Sequence, residues 1–244
     1  MKSQEYLTHV SALLARAADE QIAPVNALAR AIADTIQAGR TVFLFGTGHS
    51  CLLAQELFYR AGGLVRLQPM LEPPLMLHES ASGSTELERQ PERAELLIQQ
   101  YGIARGDLLI MISNGGRNPL CVELALRAKE RGCLVAALTN LNHSRASTSR
   151  HESGLRLFEV ADLALDNLGV PGDACISYEG FDGKAAPTST VVGAALLQAG
   201  AAQAVEYLLE GGQRPEVFAS SNIDGGDAIN QAYLDRYKGD IRFL

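Results

Sequence analysis

Residues 41–50, TVFLFGTGHS, restrict the fold of this chain more than any other stretch. Apolar, β-favouring residues run straight into Gly46-Thr47-Gly48-His49-Ser50, and residues 51–60 then follow with helical spacing. The order is strand, glycine-rich turn, helix. Such a turn presents backbone N–H groups and hydroxyls at a helix N-terminus, where the macrodipole favours an anion. Glycine lets the backbone approach that anion closely. Read for chemistry, Gly46, Thr47, Gly48, His49 and Ser50 form a phosphate cradle. Read for structure alone, they connect a strand to a helix and the hydroxyls serve as N-caps.

The pattern recurs. Residues 107–112 (DLLIMI) form a near-continuous apolar run, as expected of a strand buried on both faces, and end in Ser113-Asn114-Gly115-Gly116-Arg117-Asn118-Pro119 before a helix to residue 131. Further strands are expected at 64–67, 133–138 and 162–166. Helices are expected at 3–20, 24–38 (opened by Pro24), 91–101 and 188–210. Residues 70–88 read as irregular because Pro69, Pro73 and Pro74 oppose a long helix, and residues 141–154 read as a polar loop. Alternating strands and helices predict an α/β fold with a five-stranded parallel sheet. The common order for it is 2-1-3-4-5, flavodoxin-like, with helices on both faces. The crevice then lies where the order reverses, beyond strands 1 and 3, which are the two strands followed by glycine-rich turns. The expected organisation is one domain: a helical pair (1–40), a core (41–210) and a tail (211–244) packed on the core or on a neighbouring subunit. A dinucleotide site is rejected, because Cys51 leaves GxGxxG incomplete and the second strand ends Leu67-Gln68-Pro69 with no acid for a ribose.

Of the 244 residues, 47% are hydrophobic and 20% charged, enough for a real core, and the net charge is −7. With no long Lys/Arg run, neither nucleic acid nor an anionic membrane is an expected partner. The four cysteines are scattered without a CxxC pair, which fits reduced thiols better than a metal site or a disulfide framework. The first ten residues lack an apolar signal core. The apolar stretch 191–209 is interrupted by Gln198, Gln203 and Glu206 and rich in Gly and Ala, so it reads as a buried or interface helix. The expected location is cytoplasmic, with no cofactor and no metal.

At these turns the chain resembles the sugar isomerase (SIS) domain family, which binds phosphosugars with a Ser/Thr-rich turn after strand 1 and an S-x-S-G-type turn after strand 3. The likeness covers residues 25–210. It extends over nearly the whole chain toward an uncharacterised branch labelled phosphoheptose isomerase, through GTGHS, ELFYRAGG, LHE, ISNGGRN, APTST and NIDGGD. The resemblance implies phosphate contacts from Gly46, Thr47, Gly48, His49, Ser50, Ser113, Asn114, Gly115, Gly116, Arg117 and Asn118. It also implies homo-oligomers with shared sites, here a homodimer or homotetramer, and no redox cofactor. Two features depart from it. Arg60 stands where phosphoheptose isomerases and N-acetylmuramic acid 6-phosphate etherases carry Glu, and residues 190–205 hold no His.

An isomerase on this scaffold needs another base. His78 and Glu79 follow strand 2, where SIS isomerases place a ring-opening His, and are the candidate acid–base pair; a solvated surface pair is the plain alternative. His143 and Glu86 rank behind them. Thr139, Asn140, His143, Thr188 and Ser189 are further substrate candidates. Arg117 reads either as an anion clamp or as a solvated helix-start residue, and Glu56 with Arg60 as a surface ion pair. The expected function is a phosphosugar-binding, metal-independent aldose–ketose isomerase. A sugar-phosphate lyase or etherase and a non-catalytic phosphosugar sensor are the alternatives.

Overall fold

The computed structural model describes residues 1–244. In chain order the helices are α1 (Lys2–Glu20), α2 (Ile22–Gln37), α3 (Ser50–Glu56), α4 (Ala81–Leu87), α5 (Arg93–Tyr101), α6 (Pro119–Glu130), α7 (Leu141–Arg145), α8 (Leu157–Val160), α9 (Ser189–Glu210) and α10 (Gly226–Tyr237). The strands β1 (Val42–Gly46), β2 (Leu67–Pro69), β3 (Leu108–Ile112), β4 (Leu134–Thr139) and β5 (Leu163–Asp166) make one parallel sheet in the order β2-β1-β3-β4-β5. The expected topology and its helical pair are therefore present. A separate antiparallel hairpin joins β6 (Ala174–Tyr178) to β7 (Phe181–Pro187).

Register follows from strand alternation. Pro69, Leu44, Ile110, Ala136 and Leu163 lie side by side across the sheet. Leu44, Ile110 and Ala136 turn toward α2 and α9 with Leu28, Ile32 and Leu196. Phe45, Met111 and Ala137, one step along, turn toward α5 and α6 with Leu97, Ile98 and Leu124. Both faces are dry, which is why these strands read as unbroken apolar runs rather than as alternation. The glycines of α9 serve contacts within the chain. A Cβ on Gly200 would lie 3.3 Å from Leu28 Cδ2, and one on Gly193 only 2.8 Å from Leu53 Cδ1. α9 is long and apolar enough to cross a membrane by length and composition alone; here it packs on α1, α2 and α3.

Several boundaries need correction. The second strand is not 64–67 but Leu67–Pro69. The residues before it pair with the tail instead: Gly62 N–H donates to Phe218 O, Val65 N–H to Glu216 O, and Leu64 forms an antiparallel bridge with Val217. The same tail shortens α3, expected to reach residue 60. Tyr59 adopts a left-handed φ of 43° and sets its ring edge-on to Phe218 at 4.9 Å. The tail thus docks on its own chain, and Tyr237 and Ile241 complete a small cluster with Val65. The 70–88 segment is not wholly irregular, because Ser80 caps α4 by accepting the Gly83 N–H. The polar 141–154 stretch begins with α7, capped by Asn140 accepting from His143 N–H. Pro24 lies inside the first turn of α2, not at its start.

Candidate functional site

Both glycine-rich turns leave the carboxyl ends of β1 and β3, which are adjacent in the sheet. Beside them, on the α3 and α9 side, opens a cleft of about 220 Å³. Its floor is Leu53, Ile112 and Leu138; its polar wall includes His49, Ser50, Asn114, Asn167, Asp173, Ser189 and Thr190.

The first turn is shaped by its glycines. A Cβ on Gly46 would fall 2.6 Å from the Ser50 carbonyl, and Gly48 sits at φ +54°. Gly48 N–H donates to Leu75 O at 3.0 Å, fastening the proline-rich segment onto the turn. Thr47 is buried, and its hydroxyl donates to Glu88 Oε2 at 2.7 Å. The Thr47 donor expected for phosphate is therefore spent on a carboxylate that the sequence did not single out. Ser50 and His49 face the cleft.

The second turn offers backbone rather than hydroxyls. Ser113 Oγ accepts from Gly116 N–H at 3.2 Å, and Gly116 is left-handed at φ +57°. No protein acceptor takes the N–H groups of Asn114, Gly115, Arg117 and Asn118. Free N–H groups around a left-handed residue form an anion-binding concavity. His143 closes one side of it. Its Nδ1 accepts from Gly172 N–H at 3.2 Å, which leaves the neutral ring's proton on Nε2. That atom lies 3.4 Å from where a Cβ on Gly115 would be. The Arg117 guanidinium turns away to donate to Thr148 Oγ1 at 3.2 Å, while its Nε is buried without a partner. Asn118 Oδ1 accepts from Arg150 at 3.0 Å. Both expected phosphate ligands thus hold the 145–156 loop with their side chains. Arg156 anchors the other end of that loop, reaching the carbonyls of Ser144 and Arg145 and pairing with Glu159. That pairing holds the Glu159 carboxyl at about 2, well below the usual carboxylate range.

Other expected residues have structural roles. Thr139 and Asn140 are fully buried: Thr139 Oγ1 donates to Asn114 O, and Asn140 Nδ2 to Val170 O. Thr188 is buried too: its N–H donates to Asp173 Oδ1, its carbonyl accepts the Val192 N–H, and its hydroxyl has no partner. Ser189 lines the cleft. His78 and Glu79 lie on an exposed turn three and four residues beyond Leu75 and do not line the cleft; Glu86 is exposed on α4. Glu56 and Arg60 do form the surface ion pair. His151, which nothing in the sequence favours, is buried between Glu123 and Ser153 as a structural link.

A family model described as SIS domain matches residues 5–140. A UPF0309 protein of Halalkalibacterium halodurans is 45% identical over 216 residues, 88% of this chain and 86% of its own. Another, of Shouchella clausii, is 39% identical over 242 residues, covering 99% and 98% of the two chains.

The chain belongs to the SIS domain family.

Solved structures agree on the fold. The phosphoheptose isomerase of Neisseria gonorrhoeae superposes with a TM-score of 0.56 at 15% identity, over 86% of this chain and 97% of that one. The phosphoheptose isomerase of Francisella tularensis gives 0.54 at 16% identity, over 84% and 97%.

In this SIS domain two acidic residues near the turns escaped sequence reasoning, Glu88 and Asp173. Glu88 follows α4, whose formation the three prolines obscured, and its carbonyl also accepts the Leu120 N–H at the start of α6. Asp173 lies in the Gly/Asp/Pro-rich stretch before the hairpin. Its Oδ1 accepts from the N–H groups of Thr188 and Ser189 at 3.0 and 2.9 Å, and its Oδ2 from Ser189 Oγ at 2.5 Å. The one signal available was an acid fifteen residues before a Thr-Ser-Thr helix start, and chain distance alone does not distinguish that from any loop acid.

Proposed function

We propose that this protein binds a phosphorylated sugar with its phosphate on the 113–118 turn and its sugar in the cleft, and that it interconverts aldose and ketose forms without a metal. The reading is carried by the set of unpaired N–H groups around Gly116, with His143 Nε2 at their edge and Ser50 across the adjacent turn. A dianion there meets backbone donors, a helix N-terminus and the His143 Nε2–H. The cleft beyond is polar-walled and of a size for a few sugar carbons. The phosphoheptose isomerases that share the fold support the same ligand class.

Thermal-shift titration with matched pairs, such as glucose 6-phosphate and glucose, tests the binding half. Stabilisation by the phosphate and none by the free sugar is expected; equal response to both overturns it. A non-catalytic sensor is favoured by one observation: His78 and Glu79 stand outside the cleft while Arg60 replaces the usual Glu. Deuterium uptake at C2 of a bound sugar phosphate excludes a pure sensor. Self-association as a homodimer or homotetramer is part of the proposal. An open apolar groove of about 270 Å³ between α1, α2 and α9, lined by Leu14, Ile22, Val25 and Leu196 among others, supports it. A stable monomer in sedimentation at micromolar concentration would remove that part.

A further inference from the structure

Only two residues lining the cleft have ionisable side chains, His49 and Asp173, and Asp173 supplies its only carboxylate. Glu88, the other acid near the turns, is tied to Thr47 and does not line the cleft. Backbone strain gathers at the same place. Five non-glycine residues have positive φ, and three of them are Leu168 (57°), Asp173 (68°) and Ala186 (61°). Each is in the cleft wall or adjoins a wall residue, Asn167 or Pro187. Such conformations are strained and persist where the surroundings over-determine them, commonly at functional sites. Three donors from Thr188 and Ser189 fix the Asp173 carboxylate, and a carboxylate accepts about four hydrogen bonds, so acceptor capacity remains for a ligand. Asn167 Nδ2 donates to Asn114 Oδ1 at 2.8 Å, which leaves the Asn114 amide hydrogens unpaired beside the cleft.

We infer that Asp173 is the base of this site and His49 its proton carrier, with Asn114 steadying the oxygen charge between them. The inference rests on the phosphosugar isomerase reading and names the residues that perform it. The Asp173 carboxylate takes the proton from C2 of the open-chain aldose. The C2–H electron pair forms the C1=C2 bond, and the carbonyl π pair moves to O1, which His49 protonates to give the enediol. His49 then takes the O2 proton, the C2=O bond forms, and the Asp173 carboxylic acid returns its proton to C1. Both groups end as they began, and no external oxidant or reductant is needed.

The test uses the intact protein in D2O with glucose 6-phosphate, fructose 6-phosphate, ribose 5-phosphate and sedoheptulose 7-phosphate, following deuterium at C1 and C2 by NMR. Asp173→Asn keeps an oxygen for the α9 N–H groups. It is expected to lower exchange by at least about 10²-fold while inorganic phosphate binds within about twofold of the wild-type affinity, the scale of a few tenths of a kcal/mol. Asp173→Gly suits the left-handed backbone, and added formate is expected to restore its exchange at least about tenfold, which a mere helix cap would not allow. Wild-type exchange in Asp173→Asn, or no formate rescue of Asp173→Gly, assigns Asp173 to capping and overturns the inference. So does loss of exchange in Glu79→Gln with retention in Asp173→Asn. If the unaltered protein exchanges no proton on any of the four sugars, the isomerase reading itself fails, and the assignment with it.

Discussion

The two glycine-rich turns look alike in sequence and are built differently. The 46–50 turn is held from outside, by Glu88 on Thr47 and by the Leu75 carbonyl on Gly48, and it offers side chains, His49 and Ser50, to the cleft. The 113–118 turn commits three side chains to support, Ser113 to Gly116, Arg117 to Thr148 and Asn118 to Arg150, and turns only the Asn114 amide to the cleft. It offers backbone N–H groups. A hydroxyl or an arginine next to an anion site is therefore no guide to which atom meets the anion. What decides is which donors the neighbouring elements have already taken, since a buried donor without a partner costs about 1–3 kcal/mol and rarely stays free.

The sharpest way to break this contrast is at the glycine of the first turn. Gly46→Ala places a Cβ 2.6 Å from the Ser50 carbonyl carbon and oxygen, which are backbone atoms that cannot swing aside. A loss of about 3 kcal/mol or more is expected in urea unfolding. Gly115→Ala, whose Cβ meets the His143 ring at 3.4 Å and Arg117 Cγ at 3.7 Å, both ordinary contacts with side chains, is expected to cost less than about 1 kcal/mol. Similar losses in both would mean that the first turn is no tighter than the second.

Next come the two hydroxyls of the first turn. Thr47→Val strips Glu88 of its donor and is expected to lower stability by about 1–2 kcal/mol with little change in sugar-phosphate affinity. Ser50→Ala is expected to do the reverse, weakening sugar-phosphate binding by about 1–2 kcal/mol with stability nearly intact. Urea unfolding and calorimetric titration on the same two variants separate the cases, and interchanged effects would reverse the roles assigned here.

The smallest effect concerns the support of the second turn. Glu159 is held at about 2 by Arg156, so its contribution is fully present above the usual carboxylate range and is lost as pH falls toward about 2. The pair is only partly buried, which limits its share to under about 1 kcal/mol. Glu159→Gln is expected to remove that part of the acid sensitivity in denaturation midpoints between pH 5 and pH 2, and an unchanged acid profile would show that the 145–156 loop is anchored elsewhere.

The sequence alone determined the sheet. Unbroken apolar runs at 42–46, 108–112 and 134–138 can be buried only by covering both faces, and a parallel sheet of this order sets two glycine-rich turns side by side. It also determined the glycines, because a positive φ at Gly48 and Gly116 admits few other residues. Tertiary structure decided the rest. That the second strand starts at Leu67 depends on a tail some 150 residues later taking up the backbone of 62–65. Whether Thr47, Arg117 or Asn140 faces a ligand depends on Glu88, Thr148 and Val170, partners far along the chain that no local pattern announces. Asp173 enters the cleft because the hairpin after it folds back to the start of α9, and periodicity does not see a hydrogen bond that closes over fifteen residues. Local propensity fixes elements; the use of each polar group is settled only when distant chain segments compete for it.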